Sequence, residues 1–139
     1  MRFEPWWIPE EAVLKFHEDQ LKYGGLEGIK DQGALESALM RPKVLNCYET
    51  PSLFELAARY GVGIGNNHPF VDANKRTAYM VMYAFLRYNG YELDVPEASV
   101  VNTMVQVIEG DITEDKLVAW LEQNSYEIRE CSSDQSGET

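Results

Sequence analysis

His68 and Asp72 stand four residues apart, and Ala73, Asn74, Lys75 and Arg76 follow at once. Histidine titrates nearest neutrality of the side chains and can take a proton from an attacking hydroxyl. Aspartate offers a hard oxygen ligand, and Mg2+ commonly takes one or two carboxylates with substrate phosphates and waters. Lys75 and Arg76 bring two cations, and an arginine can grip a phosphate through two parallel hydrogen bonds. Ala73 is small, so the backbone there can come close to a ligand. A base, a metal ligand and an anion site thus fall between His68 and Arg76. Phosphoryl-type transfer needs positioning and charge stabilisation more than covalent catalysis, and these groups offer both. On residue chemistry alone a second reading is equally open: a helix start with a solvated Lys-Arg pair and a loop histidine. The segment is not a P-loop, because Gly-x-x-x-x-Gly-Lys-Ser/Thr does not occur.

The elements around this segment read as short helices joined by tight loops. The stripe Ala78, Val81, Met82, Phe85 and Leu86 predicts an amphipathic helix directly after the Lys-Arg pair, ending at Asn89-Gly90. The loop Asn66 to Asp72 therefore feeds a helix N-terminus, whose free N–H groups and dipole attract an anion. Upstream, Ser52 and Glu55 make a Ser-x-x-Glu capping box. Behind it Leu53, Leu56, Ala57, Tyr60, Gly61 and Ile64 form one helical stripe. A first helix is expected from Pro9 to about Tyr23, stopped by Gly24-Gly25. Its stripe holds Leu14, His17, Glu18 and Leu21, widened by Val13 and Phe16, and His17 there is expected to be a hydrogen-bonded core residue. Trp6 and Trp7 are expected to pack on that helix, with an exposed partner contact as the alternative. Asp31 can cap a second helix carrying Leu35, Ala38 and Leu39, which Pro42 should end, with a loop running on to Pro51. Tyr91 to Val95 reads as a short extended piece. Glu97 to Glu109 reads as a helix, and Thr113 caps a last one with Leu117, Val118 and Leu121 inside.

The 139 residues suffice for one domain with one core, expected over 1–130, and the stretch 131–139 is too polar to fold and should be a disordered tail. The balance of 12 basic against 23 acidic residues, −11 in all, would repel a polyphosphate backbone, so nucleic acid is a poor direct partner. It serves solubility, or fits a basic partner segment. No apolar run is long enough for a membrane span, and the N-terminus lacks a secretory layout, so a cytoplasmic protein is expected. Cys47 and Cys131 are too far apart in sequence, and too far from other ligands, for a disulfide framework or a zinc site. Cys47 should be a small core or loop residue.

The segment also resembles a known pattern. The Fic/Doc (Fido) motif runs His-x-Phe-x-(Asp/Glu)-(Gly/Ala)-Asn-(Gly/Lys)-Arg. His68, Phe70, Asp72, Ala73, Asn74, Lys75 and Arg76 fill every defined position. Tyr23-Gly24-Gly25-Leu26, Asp31, Leu35-Glu36-Ser37-Ala38-Leu39 and Asn89-Gly90 are similar to the Doc-type branch, so the likeness extends over about residues 8–125. It implies an all-α, compact single-domain Fido helical bundle with the motif loop at the N-terminus of a central helix. It implies an enzyme using ATP and Mg2+, with His68 as general base on a protein hydroxyl and Asp72 as metal ligand. Ala73, Asn74, Lys75 and Arg76 would bind the nucleotide phosphates, and Phe70 would anchor the loop.

AMP-transferring Fic proteins usually carry Gly where this chain has Lys75 and a second Arg where it has Tyr79. The Doc-type resemblance at both points implies a reversed nucleotide and transfer of the γ-phosphoryl group to Ser or Thr. It further implies a toxin that inhibits translation, with a translation factor such as elongation factor Tu as target and an antitoxin protein blocking the site in trans. No inhibitory Ser/Thr-x-x-x-Glu-(Gly/Asn) motif is clear in the chain itself. AMP transfer and a catalytically silent Fido binding module are the alternatives. The loop Gly24 to Gly33 falls where the family often has a target-positioning flap, although its glycines also suit plain helix termination.

Overall fold

The computed structural model of the protein describes residues 4–128. The described residues form six α-helices: α1 (Glu10–Gln20), α2 (Gln32–Tyr48), α3 (Leu53–Asn67), α4 (Asn74–Tyr88), α5 (Glu97–Ile108) and α6 (Glu114–Gln123). A 3-10 turn, Leu21–Tyr23, extends α1. Two three-residue strands, β1 (Tyr91–Leu93) and β2 (Ser125–Glu127), pair antiparallel, with Glu92 opposite Tyr126. The architecture is the expected all-α Fido bundle. The stretch 131–139 and Cys131 lie outside the described residues.

The caps act where the sequence places them. Ser52 Oγ accepts from the Glu55 N–H at 3.1 Å and Glu55 Oε1 accepts from the Ser52 N–H at 2.8 Å, which closes the capping box of α3. Asp31 caps α2 through the Ala34 N–H, and Thr113 caps α6 through the Lys116 N–H. Each such cap is worth about 1 kcal/mol.

The packing centre is α3, which touches α2, α4, α5 and α6. That density needs bare backbone. A Cβ on Gly61 would overlap the sulfur of Met82 in α4, and one on Gly65 would meet Ile108 Cδ1 of α5 at 2.6 Å. The two glycines let both neighbours approach closely, at the usual helix-propensity cost of about 1 kcal/mol each. Tyr60, Ile64, Met82, Phe85, Met104, Leu117 and Leu121 fill the resulting core. The two helices that flank the motif loop, α3 and α4, are thereby fixed relative to each other.

Several local expectations fail. Pro42 does not end α2, which continues to Tyr48. The helix forgoes one hydrogen bond there, because Pro42 and Asn46 are buried on the same face as Leu35, Ala38 and Leu39. Tertiary burial outweighs the local penalty of about 3 kcal/mol. Cys47 is consequently an exposed helical residue, neither core nor loop. Helix α1 begins at Glu10 with Pro9 as its cap, and buries Val13, His17 and Gln20 while Glu18 stays exposed. Asn66 and Asn67 belong to the last turn of α3 rather than to the loop. Trp7 meets the ring of Phe85 in α4 at 6.0 Å. Trp6 is 75% exposed, and its backbone N–H and C=O are held by the Asn89 amide at the far end of α4. β2 carries no alternation long enough to be read from the sequence, and it forms because the end of α6 brings it beside β1.

Candidate active site

The loop between α3 and α4 begins and ends in left-handed backbone. His68 caps the C-terminus of α3 at φ 49°, ψ 57°, and Ala73 caps the N-terminus of α4 at φ 63°, ψ 28°. Neither is glycine, so each costs some local strain that the surroundings must hold. They are the two non-glycine residues with positive φ among the described residues. Ala73 offers no capping side chain, so the first N–H groups of α4 remain open to a ligand.

The loop is held on several sides. Asn74 Oδ1 accepts from the Phe70 N–H and Asn74 Nδ2 donates to the Phe70 carbonyl, both at 3.0 Å. Phe70 is buried, and its ring stacks on His17 of α1 with centroids 3.9 Å apart and planes 9° apart. His17 Nε2 lies 2.9 Å from the carbonyl of Asp72. From the other side, residues 28–31 run antiparallel to the loop, with Ile29 bridging Phe70. Val71 N–H donates to the Gly28 carbonyl, while Lys30 and Asp31 both donate to the Pro69 carbonyl. The Gly24 to Gly33 loop is thus tied to the motif rather than serving only to end α1.

An open cavity of about 580 Å³ lies above this loop. His68, Asp72, Ala73, Asn74, Lys75 and Arg76 all border it, with Gly24, Gly25, Val71 and Val101 completing the wall. The structure therefore brings together the six residues given catalytic, metal or phosphate roles from the sequence. His68 is exposed and its ring is unpartnered among the described residues. Lys75 and Arg76 have no ion pair among the described residues, so their charge is available to an anion. Asp72 is more constrained: Oδ1 accepts from the Ala73 N–H at 2.9 Å and Oδ2 from the Leu26 N–H at 3.3 Å. A Cβ on Gly25 would stand 3.2 Å from that same Oδ2, and Gly25 has φ 113°, so this close approach suits glycine twice over. Asn74 differs in kind from its neighbours, since its amide is engaged with the Phe70 backbone.

The family-model comparison matches residues 7–86 to the Fic/DOC family, more than half of the chain, and the match includes the whole loop. This chain belongs to the Fic/Doc family. Relatives within it include "Protein kinase doc" of Escherichia phage P1, 41% identical over 91 residues, covering 64% of this chain and 72% of that protein. "Toxin Doc" of Mycolicibacterium smegmatis is 34% identical over 121 residues, covering 83% of this chain and 90% of that protein. Of the residues from His68 to Arg76 that border the cavity, all but Val71 fill defined positions of the Fic/Doc motif.

What the motif does not contain is the support from α1 and from Gly25 and Leu26. His17 is legible in the sequence as a core histidine, but nothing in its spacing points to Asp72. Tyr79, one turn along α4 from Lys75, is partly buried 6.1 Å from the Tyr83 ring. Burial raises its pKa, and the carboxylates of Glu97 and Glu92 raise it further. That acidic neighbourhood adds no anion-binding charge beyond Lys75 and Arg76. No helix among the described residues is long and apolar enough to cross a membrane.

Proposed function

We propose that this chain is a Doc-type toxin kinase, which transfers the γ-phosphoryl group of ATP to a Ser or Thr hydroxyl of a protein. The observation that carries this reading is Lys75 with Tyr79 at the two positions where AMP-transferring members carry Gly and Arg. The relative named as a protein kinase supports it.

The donor set fits a nucleotide-borne Mg2+. Among the described residues no group of three or more His, Cys, Asp or Glu gathers to hold a metal alone. Asp72 supplies one carboxylate beside the open α4 N-terminus, and Mg2+ binds readily with one carboxylate when phosphates and waters complete its shell. When bound, the ion would neutralise charge on the phosphate oxygens.

His68 takes the proton of the acceptor hydroxyl as its oxygen bonds to the γ-phosphorus. The bond from that phosphorus to the β–γ bridging oxygen breaks, and ADP leaves. Lys75, Arg76 and the first amides of α4 hold the phosphates and stabilise the charge that moves onto the leaving oxygen. Asn74 serves by keeping the loop in register, and Ala73 by its lack of bulk. The reading extends to a translation factor such as elongation factor Tu as target, to inhibition in trans by an antitoxin protein, and to the cytoplasm as the place of action.

The test uses purified protein, Mg2+, a bacterial extract, and ATP labelled at either the α or the γ phosphate. Label on a protein from γ-ATP alone, lost in His68→Ala, is the expected result. Label from α-ATP would move the chain to AMP transfer. A His68→Ala variant that keeps the full cellular effect would make it a binding module.

A further inference from the structure

His17 lies outside the reacting set, yet it touches the loop at two points. Its ring covers Phe70, and its Nε2 meets the Asp72 carbonyl 55 positions along the chain. His17 is 5% exposed and the contact is part-buried, so competing water is limited on the side of α1. A carbonyl oxygen only accepts, so Nε2 must carry the proton.

The Asp72 carbonyl belongs to the planar Asp72–Ala73 peptide, in which C=O and N–H point in opposite directions. Holding the carbonyl toward α1 turns the Ala73 N–H the other way, toward the cavity side. That N–H is the donor to Asp72 Oδ1 at 2.9 Å. The chain of contacts runs from His17 Nε2 through one rigid peptide to the carboxylate. It also steadies the left-handed Ala73 that opens α4.

We infer that His17 is the positioning residue for Asp72, aiming its carboxylate through the Asp72–Ala73 peptide while its ring clamps Phe70. The inference rests on the reading of Asp72 as the carboxylate for a nucleotide-borne metal. Its role matches that of groups behind metal ligands generally, whose loss weakens metal binding by about 10–100-fold.

Two measurements test it. The chain has two histidines, so long-range 1H–15N correlation on protein labelled at histidine, with His68→Ala for assignment, reads the His17 ring directly. A proton on Nε2 is expected, and a ring protonated at Nδ1 alone overturns the inference whether or not any variant folds. Binding of Mn2+–ATP, followed by electron paramagnetic resonance, then separates donor from bulk. His17→Phe keeps an aromatic ring against Phe70 and loses the donor, so binding should weaken about 10–100-fold. His17→Gln can place an amide N–H near the same point and should recover most of that loss. Wild-type binding in His17→Phe, or equal weakening in both, overturns the positioning role. Asp72→Ala is the separate control: if it binds Mn2+–ATP like the wild type, the metal reading fails and takes the carboxylate part of this inference with it. The histidine proton still decides whether His17 holds the loop.

Discussion

The side chain of Asn74 closes a ring of two hydrogen bonds on the backbone of Phe70, accepting from its N–H and donating to its carbonyl, each at 3.0 Å. Both ends of the amide are thereby satisfied, and their orientation is set, since an N–H only donates and a carbonyl only accepts. The five-residue span from Phe70 to Asn74 holds Asp72 at its middle. Asn74→Ala leaves two part-buried backbone groups unpaired, at a cost of about 1–3 kcal/mol each at most. We expect a lower urea midpoint and a fall in γ-phosphoryl transfer of up to about 100-fold, as for displaced reacting groups. Transfer at the wild-type rate would show that the loop keeps its shape without this ring.

The two positions that distinguish this chain from AMP-transferring members can be exchanged together. Lys75→Gly removes a cation from the phosphate cradle, and Tyr79→Arg adds one a turn further along α4. The double variant should lose label from γ-ATP and gain label from α-ATP on the same target. Continued transfer of the γ-phosphoryl group alone would mean that the nucleotide pose is set elsewhere.

Gly61 and Met82 form one packing unit between α3 and α4. Gly61→Ala forces the Met82 side chain aside and should destabilise the fold by about 1–3 kcal/mol. In a Met82→Ala background the same change should cost much less, because the overlapping sulfur is gone. Additive urea midpoints across the four proteins would refute the contact.

Alkaline pH should weaken the fold. Burial pushes the Tyr60 hydroxyl up to about 12 from its ordinary 10.0, against the smaller opposing effect of its contact with the Ile8 backbone. Tyr83 is likewise pushed up to about 12, first by its hydrogen bond to Glu92 and then by burial. The unfolded chain therefore loses these protons before the folded one does. The stabilisation is fully present below pH 10 and is lost as pH rises toward about 12. Tyr60 accounts for roughly 3 kcal/mol of it, at 1.36 kcal/mol per unit. Urea midpoints from pH 9 to pH 11.5 should fall more steeply in the wild type than in Tyr60→Phe, and parallel slopes would count against a buried, protonated Tyr60.

Much of this molecule is local chemistry, and local chemistry is legible. Ser52 with Glu55, Asp31 and Thr113 cap helices through side chains that reach only three residues along the chain, so their partners are dictated by spacing. The stripes of α3 and α4 follow from a 3.6-residue period, and the segment His68 to Arg76 is continuous, so its groups had to meet around one helix N-terminus. What the chain could not reveal in one dimension is whatever joins distant segments. Pro42 reads as a stop, yet α2 continues because burying its far half outweighs one missing hydrogen bond. β2 exists because the end of α6 delivers it to β1. His17 and Asp72 meet because α1 packs on α4, and Gly25 must be bare because Asp72 lies against it. Residue types and short spacings determined which groups are present and which helix they open. The packing of α1 and the Gly24 to Gly33 loop against the loop that leads into that helix decided how those groups are aimed, because the contacts that aim them span tens of residues.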